Sequence, residues 1–193
     1  MINYPNGKKA SVKISKKTSA SGRGMRLEED INQTNTYYLN LGKAVIHKKP
    51  TPIQVVNVDY QKRSAARISE AYYRTPSTTD YNGVYKGKAI DFEAKETQSK
   101  TSFPLSSIHE HQFKHLEAVL AQGAMAFVLI RFTYYEETYY LEASQLLALA
   151  KNSKRSIPYS WFQEQAVLIP YSLTPPVDYL KAVDAQLLKE KQK

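Results

Sequence analysis

Apolar residues follow helical spacing in some segments of the chain and strand spacing in others, from about residue 26 onward. Leu27, Ile31 and Tyr38 fall at helical intervals and Gly42 is typical of a helix end, so a helix is predicted between them. The same reasoning predicts strands at 43–47, 53–60, 88–97, 125–132 and 138–142, and helices at 107–122, 143–151 and 177–191.

The order of these elements indicates an α/β domain with a mixed central β-sheet flanked by helices. The continuous apolar run at 125–132 suits a central strand. Residues 61–74 are basic and polar, so they are a poor core element and better suited to a projection. The 193 residues suffice for one domain with a buried core, which we expect at 25–193.

Positive charge is concentrated at the start of the chain. The net charge is +9, and residues 1–26 carry seven Lys and Arg residues and no acidic residue. Such a segment cannot offset its ordering entropy, so we expect residues 1–24 to be a disordered basic arm. It is either a solubility tail or a nucleic-acid arm, and charge alone does not separate DNA, RNA and anionic membrane.

Several chemistries are disfavoured by composition. The chain has no cysteine, which excludes disulfides, thiolate zinc sites and cysteine nucleophiles and is compatible with a cytoplasmic location. No apolar run is long enough for a membrane span, and no secretory signal is expected. His111 and His115 stand at i, i+4 but lack a third zinc ligand, so all four histidines are interpreted as surface residues.

Two carboxylates and a lysine carry the main chemical signal. Glu93 and Lys95 are two apart on the predicted 88–97 strand, so they share one face. Turn residues in the thirteen-residue interval let Asp80 double back beside Glu93. Paired carboxylates repel unless a proton or cation lies between them, and oxygen ligands favour Mg²⁺. The pattern predicts a phosphodiester hydrolysis site in which Lys95 helps to activate water.

The alternative interpretation is an ordinary solvated strand face. Gln112 weighs against it, because Gln112 falls on the apolar stripe of the 107–122 helix and a core-facing amide needs a partner. A metal-site ligand or water would supply that partner, and so would an ordinary hydrogen bond.

Three motifs add a more specific signal. They are Gly22-Arg23-Gly24-Met25 followed by Leu27-Glu28, then Ser77-Thr78-Thr79-Asp80-Tyr81-Asn82-Gly83, then Ile90-Asp91-Phe92-Glu93-Ala94-Lys95-Glu96-Thr97. An acidic residue followed by Glu-x-Lys is similar to the restriction-endonuclease-like nuclease fold. Together the motifs resemble the RecU family of Holliday junction resolvases, over about residues 22–171.

The resemblance implies roles for individual residues. The metal ligands would be Thr78, Asp80, Glu93 and Gln112, and Lys95 would stabilise the transition state. Physics alone leaves Thr78 as a turn hydroxyl. Glu28, on the first helix, would either assist the metal or be an exposed helix acid.

The resemblance also implies how DNA is held. Residues from about 50 to 75 would form a stalk that enters the centre of a junction, with Arg63 and Arg67 binding DNA; the alternative is a solvated basic face. Arg23 and Arg26, at the end of the arm, are further candidates for DNA binding.

The predicted function is a structure-selective endonuclease, dependent on Mg²⁺ with Mn²⁺ as an alternative, that nicks four-way junctions symmetrically. Because a junction is nearly twofold symmetric, a C₂ homodimer is expected. The resemblance further implies recombinase and branch-migration proteins as partners. The competing hypotheses are a non-catalytic DNA-binding or bridging protein on the same fold, and a restriction-type enzyme for linear duplex.

Overall fold

A computed structural model describes residues 25–60, 62, 65–74, 78–152 and 155–191. The predicted arm at 1–24, with Arg23, and the predicted DNA contact Arg63 lie outside these residues. In the part of the chain that is described, no helix is long and apolar enough to cross a membrane.

Five α-helices and ten strands follow one another along the described chain. In order they are α1 (Met25–Asn40), β1 (Val45–Lys48), β2 (Ile53–Asp59), β3 (Arg67–Tyr73), β4 (Tyr81–Tyr85), β5 (Lys88–Thr97), β6 (Ser102–Pro104), a 3₁₀ turn (Leu105–Ser107), α2 (Glu110–Ala121), β7 (Met125–Phe132), β8 (Glu137–Glu142), α3 (Ala143–Lys151), β9 (Ser156–Pro158), α4 (Tyr159–Gln165), β10 (Val167–Ile169) and α5 (Leu180–Lys191).

The central sheet has six strands in the order β1-β4-β5-β7-β8-β10. Strands β5 and β7 are parallel, and the other neighbours are antiparallel. Helices α1 and α5 pack on one face, and α2, α3 and α4 pack on the other. The prediction of an α/β fold with a mixed central sheet flanked by helices is therefore confirmed.

Strand β5 is covered on both of its faces. Phe92 lies in an aromatic stack between Tyr81 and Phe127, with ring centroids 4.8 and 4.7 Å apart. The next residue, Glu93, points to the opposite face and has 0% of its surface exposed. The interpretation of this face as solvated is thus wrong, because α2 covers it and leaves Asp91 and Glu93 buried.

Asp80 returns beside β5 by a different route from the one predicted. Residues 81–83 are not a turn; they belong to β4, which pairs antiparallel with β5 through the turn at Lys86 and Gly87. Gly83 is needed for another reason, since β1 passes very close to it: an added Cβ would lie 2.1 Å from the Val45 carbonyl oxygen.

Strands β2 and β3 form a separate two-stranded sheet. Every residue in both strands is exposed, and the Arg74 amide donates to the Pro52 carbonyl at 3.0 Å to close the base of the hairpin. Sequence reasoning missed β3, because Arg67–Tyr73 lies in a basic, polar stretch without regular apolar alternation, whereas the equally exposed β2 has the alternating apolar residues that predicted it. We refer to residues 53–73 as the β2–β3 hairpin.

Other differences from the predicted elements are local. Helix α5 begins at Leu180 rather than 177, because Val177 instead pairs in an isolated β-bridge with Tyr171 and donates its amide to Thr34 Oγ1. The proline-punctuated region at 156–176 contains β9, α4 and β10, which are too short to show a period.

We expect Gly83→Ala to lower the free energy of unfolding by about 2–4 kcal/mol, because the new methyl group meets backbone atoms that cannot move aside. Gly42→Ala is the matched control: Gly42 has a φ of +61° but open space around it, so only about 1 kcal/mol of backbone strain is expected. Urea denaturation measures both. Equal losses would show that β1 does not constrain this position.

Candidate active site

Asp80 and Glu93 are brought together by the register of β4 on β5. Tyr81 pairs with Phe92, so the residue before Tyr81 lies next to the residue after Phe92. The Asp80 amide donates to Glu93 Oε2 at 3.1 Å, and the Asp80 carboxyl lies within hydrogen-bonding reach of the Glu93 carboxyl. The two acidic residues, thirteen apart in sequence, share one small space.

Lys95 and Gln112 complete the surroundings of Glu93. Lys95 Nζ and Gln112 Nε2 each donate to Glu93 Oε1 at 2.6 Å. Lys95 follows from strand alternation on β5, whereas Gln112 comes from the buried face of α2. The structure thus brings together Asp80, Glu93, Lys95 and Gln112.

The orientation of Gln112 is set at the start of its helix. The His109 amide, at the N-cap of α2, donates to Gln112 Oε1 at 3.0 Å. This bond directs the side-chain nitrogen at Glu93. In this arrangement Gln112 orients the carboxylate, and its oxygen is directed at the helix N-terminus.

The remaining predicted site residues have other contacts or positions in the structure. Thr78 is half-buried and its hydroxyl donates to the Thr79 carbonyl at 3.3 Å. Glu28 is ion-paired with Lys48 at the end of β1. Arg67 is exposed at the start of β3, and Arg26 lies in the first turn of α1.

Burial shapes the electrostatics of Glu93. Loss of solvation, followed by hydrogen bonding with Asp80 and the charge of Asp80, raises the pKa of Glu93 to about 8, against the opposing effect of Lys95. Because its pKa is raised, Glu93 retains a proton at neutral pH, and this allows the two carboxyl groups to lie close together. A divalent cation relieves the same repulsion, and two carboxylates in a closed space suit such an ion.

The carboxylate pair does not surround an ion by itself. Within the described ranges, no group of three or more His, Cys, Asp or Glu side chains is placed to hold a metal. Magnesium usually keeps several waters and binds through one or two carboxylates plus substrate phosphate, so the Asp80–Glu93 pair fits that ion.

A second polar cluster adjoins the pair, and sequence reasoning missed it. Asp91, on the same face of β5 as Glu93, accepts hydrogen bonds from Lys49 Nζ at 2.9 Å and from Thr79 Oγ1, and lies 3.1 Å from His115 Nε2. The interpretation of His115 as a surface histidine is wrong, since its ring is largely buried against Asp91. The available signal was Asp91 itself, which alternates with Glu93.

Comparison with known proteins gives a consistent result. A family model described as Recombination protein U matches residues 22–185. Relatives named Holliday junction resolvase RecU include proteins from Oceanobacillus iheyensis, 54% identical over 95% of this chain and 98% of the relative, and from Bacillus licheniformis, 52% identical over 95% and 96%. A third, from Staphylococcus aureus, is 50% identical over 99% of both chains.

Among solved structures, the Holliday junction resolvase Hjc of Archaeoglobus fulgidus aligns with a TM-score of 0.44 and 11% identity, over 75% of this chain and 94% of that chain. This likeness is too weak to bear on function.

We expect the affinity of the site for Mg²⁺ or Mn²⁺ to rise with pH up to about 8, because a bound cation must displace the proton that the raised pKa of Glu93 retains. Between pH 6 and 7 the change should be about tenfold, the slope for release of one proton. Isothermal titration calorimetry in buffers of different ionisation enthalpy measures both affinity and proton release.

Glu93→Gln should abolish this binding. Glu117→Gln is the matched control, because Glu117 forms a surface ion pair with Lys151 away from the site. An affinity that stays constant between pH 6 and 8 would contradict the assigned role of Glu93.

Proposed function

The chain belongs to the Recombination protein U (RecU) family, and on that premise we propose that it is a metal-dependent endonuclease that resolves four-way DNA junctions by symmetric nicking. The resemblance predicted from the three motifs is confirmed by this membership. The observation that carries the proposal is the pairing of half-buried Asp80 with fully buried Glu93, with Lys95 Nζ 2.6 Å from Glu93 Oε1.

Asp80 and Glu93 would hold the divalent cation, which we take to be Mg²⁺ with Mn²⁺ as an alternative. When bound, the ion supplies Lewis-acid stabilisation of the phosphate and lowers the pKa of a water. Thr78 and the oxygen of Gln112 are proposed as further ligands, on the resemblance alone. The protein's own contribution is to hold Glu93 away from water and Asp80 beside it, which strengthens the electrostatic interactions of Glu93.

Lys95 has the one cationic side chain that contacts Glu93 among the described residues. Its side chain retains 21% exposure, so it can reach a DNA phosphate from the solvent side. There the ammonium would orient the attacking water and stabilise the negative charge that develops on the phosphate. That role belongs to the transition state, so losing Lys95 should affect turnover more than binding.

Binding to the junction would rest on positive charge outside this site. The exposed β2–β3 hairpin carries Arg67, and Arg63 lies between its strands in sequence. We propose that this hairpin enters the junction as a stalk, with Arg23 of the basic arm and Arg26 at the start of α1 on the flanking phosphates. Contacts of this kind position the protein without reading bases.

The assembly would be a C₂ homodimer, because two opposed strands must be nicked in a substrate with near-twofold symmetry. We further propose that the protein acts in the cytoplasm with recombinase and branch-migration proteins.

We expect purified protein to cut a synthetic four-way junction only with Mg²⁺ or Mn²⁺, and Asp80→Asn to lower that rate at least about 10³-fold while binding is retained. Asp184→Asn is the matched control, because Asp184 pairs with Lys86 on the other side of the sheet. This variant should cut the junction at the normal rate. Rates come from single-turnover assays on labelled junctions.

Two other outcomes would replace this proposal. Binding without metal-dependent cutting in the unaltered protein would favour a non-catalytic DNA-binding or bridging protein. Equal cutting of junction and plain duplex would favour a restriction-type enzyme.

Deleting residues 1–22 should weaken junction binding and flatten its dependence on salt. The deletion removes five lysines, Lys8, Lys9, Lys13, Lys16 and Lys17, and no acidic residue. Each lysine that contacts a phosphate contributes about 0.9 to the slope of log affinity against log salt. An unchanged slope in fluorescence anisotropy titrations would show that the arm does not contact DNA phosphates and would favour its interpretation as a solubility tail.

A further inference from the structure

Both ends of the β2–β3 hairpin arrive at the candidate active site. On one side β1 ends at Lys48 and Lys49 follows directly; on the other, the chain returns from β3 through Thr79 to Asp80. Lys49 Nζ donates to Thr79 Oγ1 at 3.0 Å, so one lysine joins the segment that enters the hairpin to the segment that leaves it.

Lys49 also anchors this junction of chain segments to the central sheet. Its ammonium pairs with Asp91 Oδ2 at 2.9 Å, and the side chains of both residues are largely buried. Asp91 in turn holds Thr79 Oγ1 and His115 Nε2, which belong to the segment before β4 and to α2. Four segments therefore meet at one carboxylate, two residues before Glu93 on the same face of β5.

The backbone of Asp80 is held on both sides, by the Lys49 backbone and by the Glu93 carboxylate. The Lys49 amide donates to the Asp80 carbonyl at 2.7 Å, while the Asp80 amide donates to Glu93 Oε2 at 3.1 Å. The bond from the Lys49 backbone amide does not depend on the Lys49 side chain. The side chain acts on Asp80 through Thr79, the preceding residue, so removing the ammonium would free the Thr79 hydroxyl from one of its partners.

Stability alone does not account for this arrangement. Removing two charges from water costs about as much as their attraction returns, and a buried ion pair is often no more stabilising than apolar residues of the same size. A fixed ion pair does supply geometry, and a catalytic carboxylate misplaced by about 1 Å loses about 10²-fold in rate.

We propose that Lys49 is a positioning residue of the nuclease site: it ties the base of the β2–β3 hairpin to Asp91 and thereby fixes Asp80 against Glu93. The proposal rests on the nuclease function proposed for the chain. It also means that force on the hairpin, as DNA binds it, acts directly on the segment that carries Asp80.

The test compares Lys49→Met, Lys49→Arg and the control Lys151→Met, which removes a surface ion pair with Glu117 by the same chemical change. Single-turnover cutting of a four-way junction is measured at saturating protein over a range of Mg²⁺ concentrations. Junction affinity is measured separately without divalent ions.

Lys49→Met should cut roughly 10- to 100-fold more slowly and need more Mg²⁺, with junction affinity within about threefold of the unaltered protein. Lys49→Arg should recover most of the rate, and Lys151→Met should match the unaltered protein. A purely structural role would instead lower affinity, rate and thermal stability together, and that result would overturn the proposal, as would normal cutting by Lys49→Met.

Lys49→Met leaves Asp91 without its partner, so a second variant, Lys49→Met with Asp91→Asn, removes both charges and keeps the polar contacts of residue 91. It should fold, and it should show the same slow, Mg²⁺-demanding cutting; cutting at the normal rate would overturn the proposal. If the unaltered protein itself does not cut junctions, the proposed function fails, and that outcome is distinct from the failure of Lys49 as a positioning residue.

Discussion

Asp80 and Glu93 place two carboxylates side by side, one half-buried and one fully buried, and the two repel each other unless a proton or a cation lies between them. This repulsion is the constraint on which the site depends. Here the raised pKa of Glu93 reduces the repulsion, since a protonated carboxyl group is neutral. Lys95, Gln112 and the Asp80 amide further stabilise Glu93 by donating hydrogen bonds to it. A site of this kind is strained without its ion. That strain is useful in an enzyme, because a cation that enters finds its ligands already oriented.

The two faces of β5 have different roles in the structure. One face contributes Phe92 to the aromatic core beneath α1 and α5, which makes the strand rigid. The other face carries Asp91, Glu93 and Lys95 beneath α2. The catalytic candidates are thus placed on a strand paired on both edges and packed on both faces, whereas the β2–β3 hairpin is exposed along both of its strands.

Much of this was predictable from sequence, and the failures have physical causes. The long periodic elements, such as α1 and β7, and the approach of Asp80 to Glu93 were predicted, because apolar period and strand alternation are local signals. The amide of Gln112 was noticed because it broke an apolar stripe. By contrast, β3 and the Lys49–Asp91 ion pair were missed. The polar stretch that forms β3 has no regular apolar alternation, and a pair 42 residues apart is visible only after folding.

The most direct test of the central claim is a crystal structure of the protein soaked in Mn²⁺, with the ion located by its anomalous scattering. The account predicts one strong peak between the carboxyl groups of Asp80 and Glu93, within about 2.0–2.3 Å of an oxygen from each. Asp80 and Glu93 held apart, with no peak between them, would contradict it.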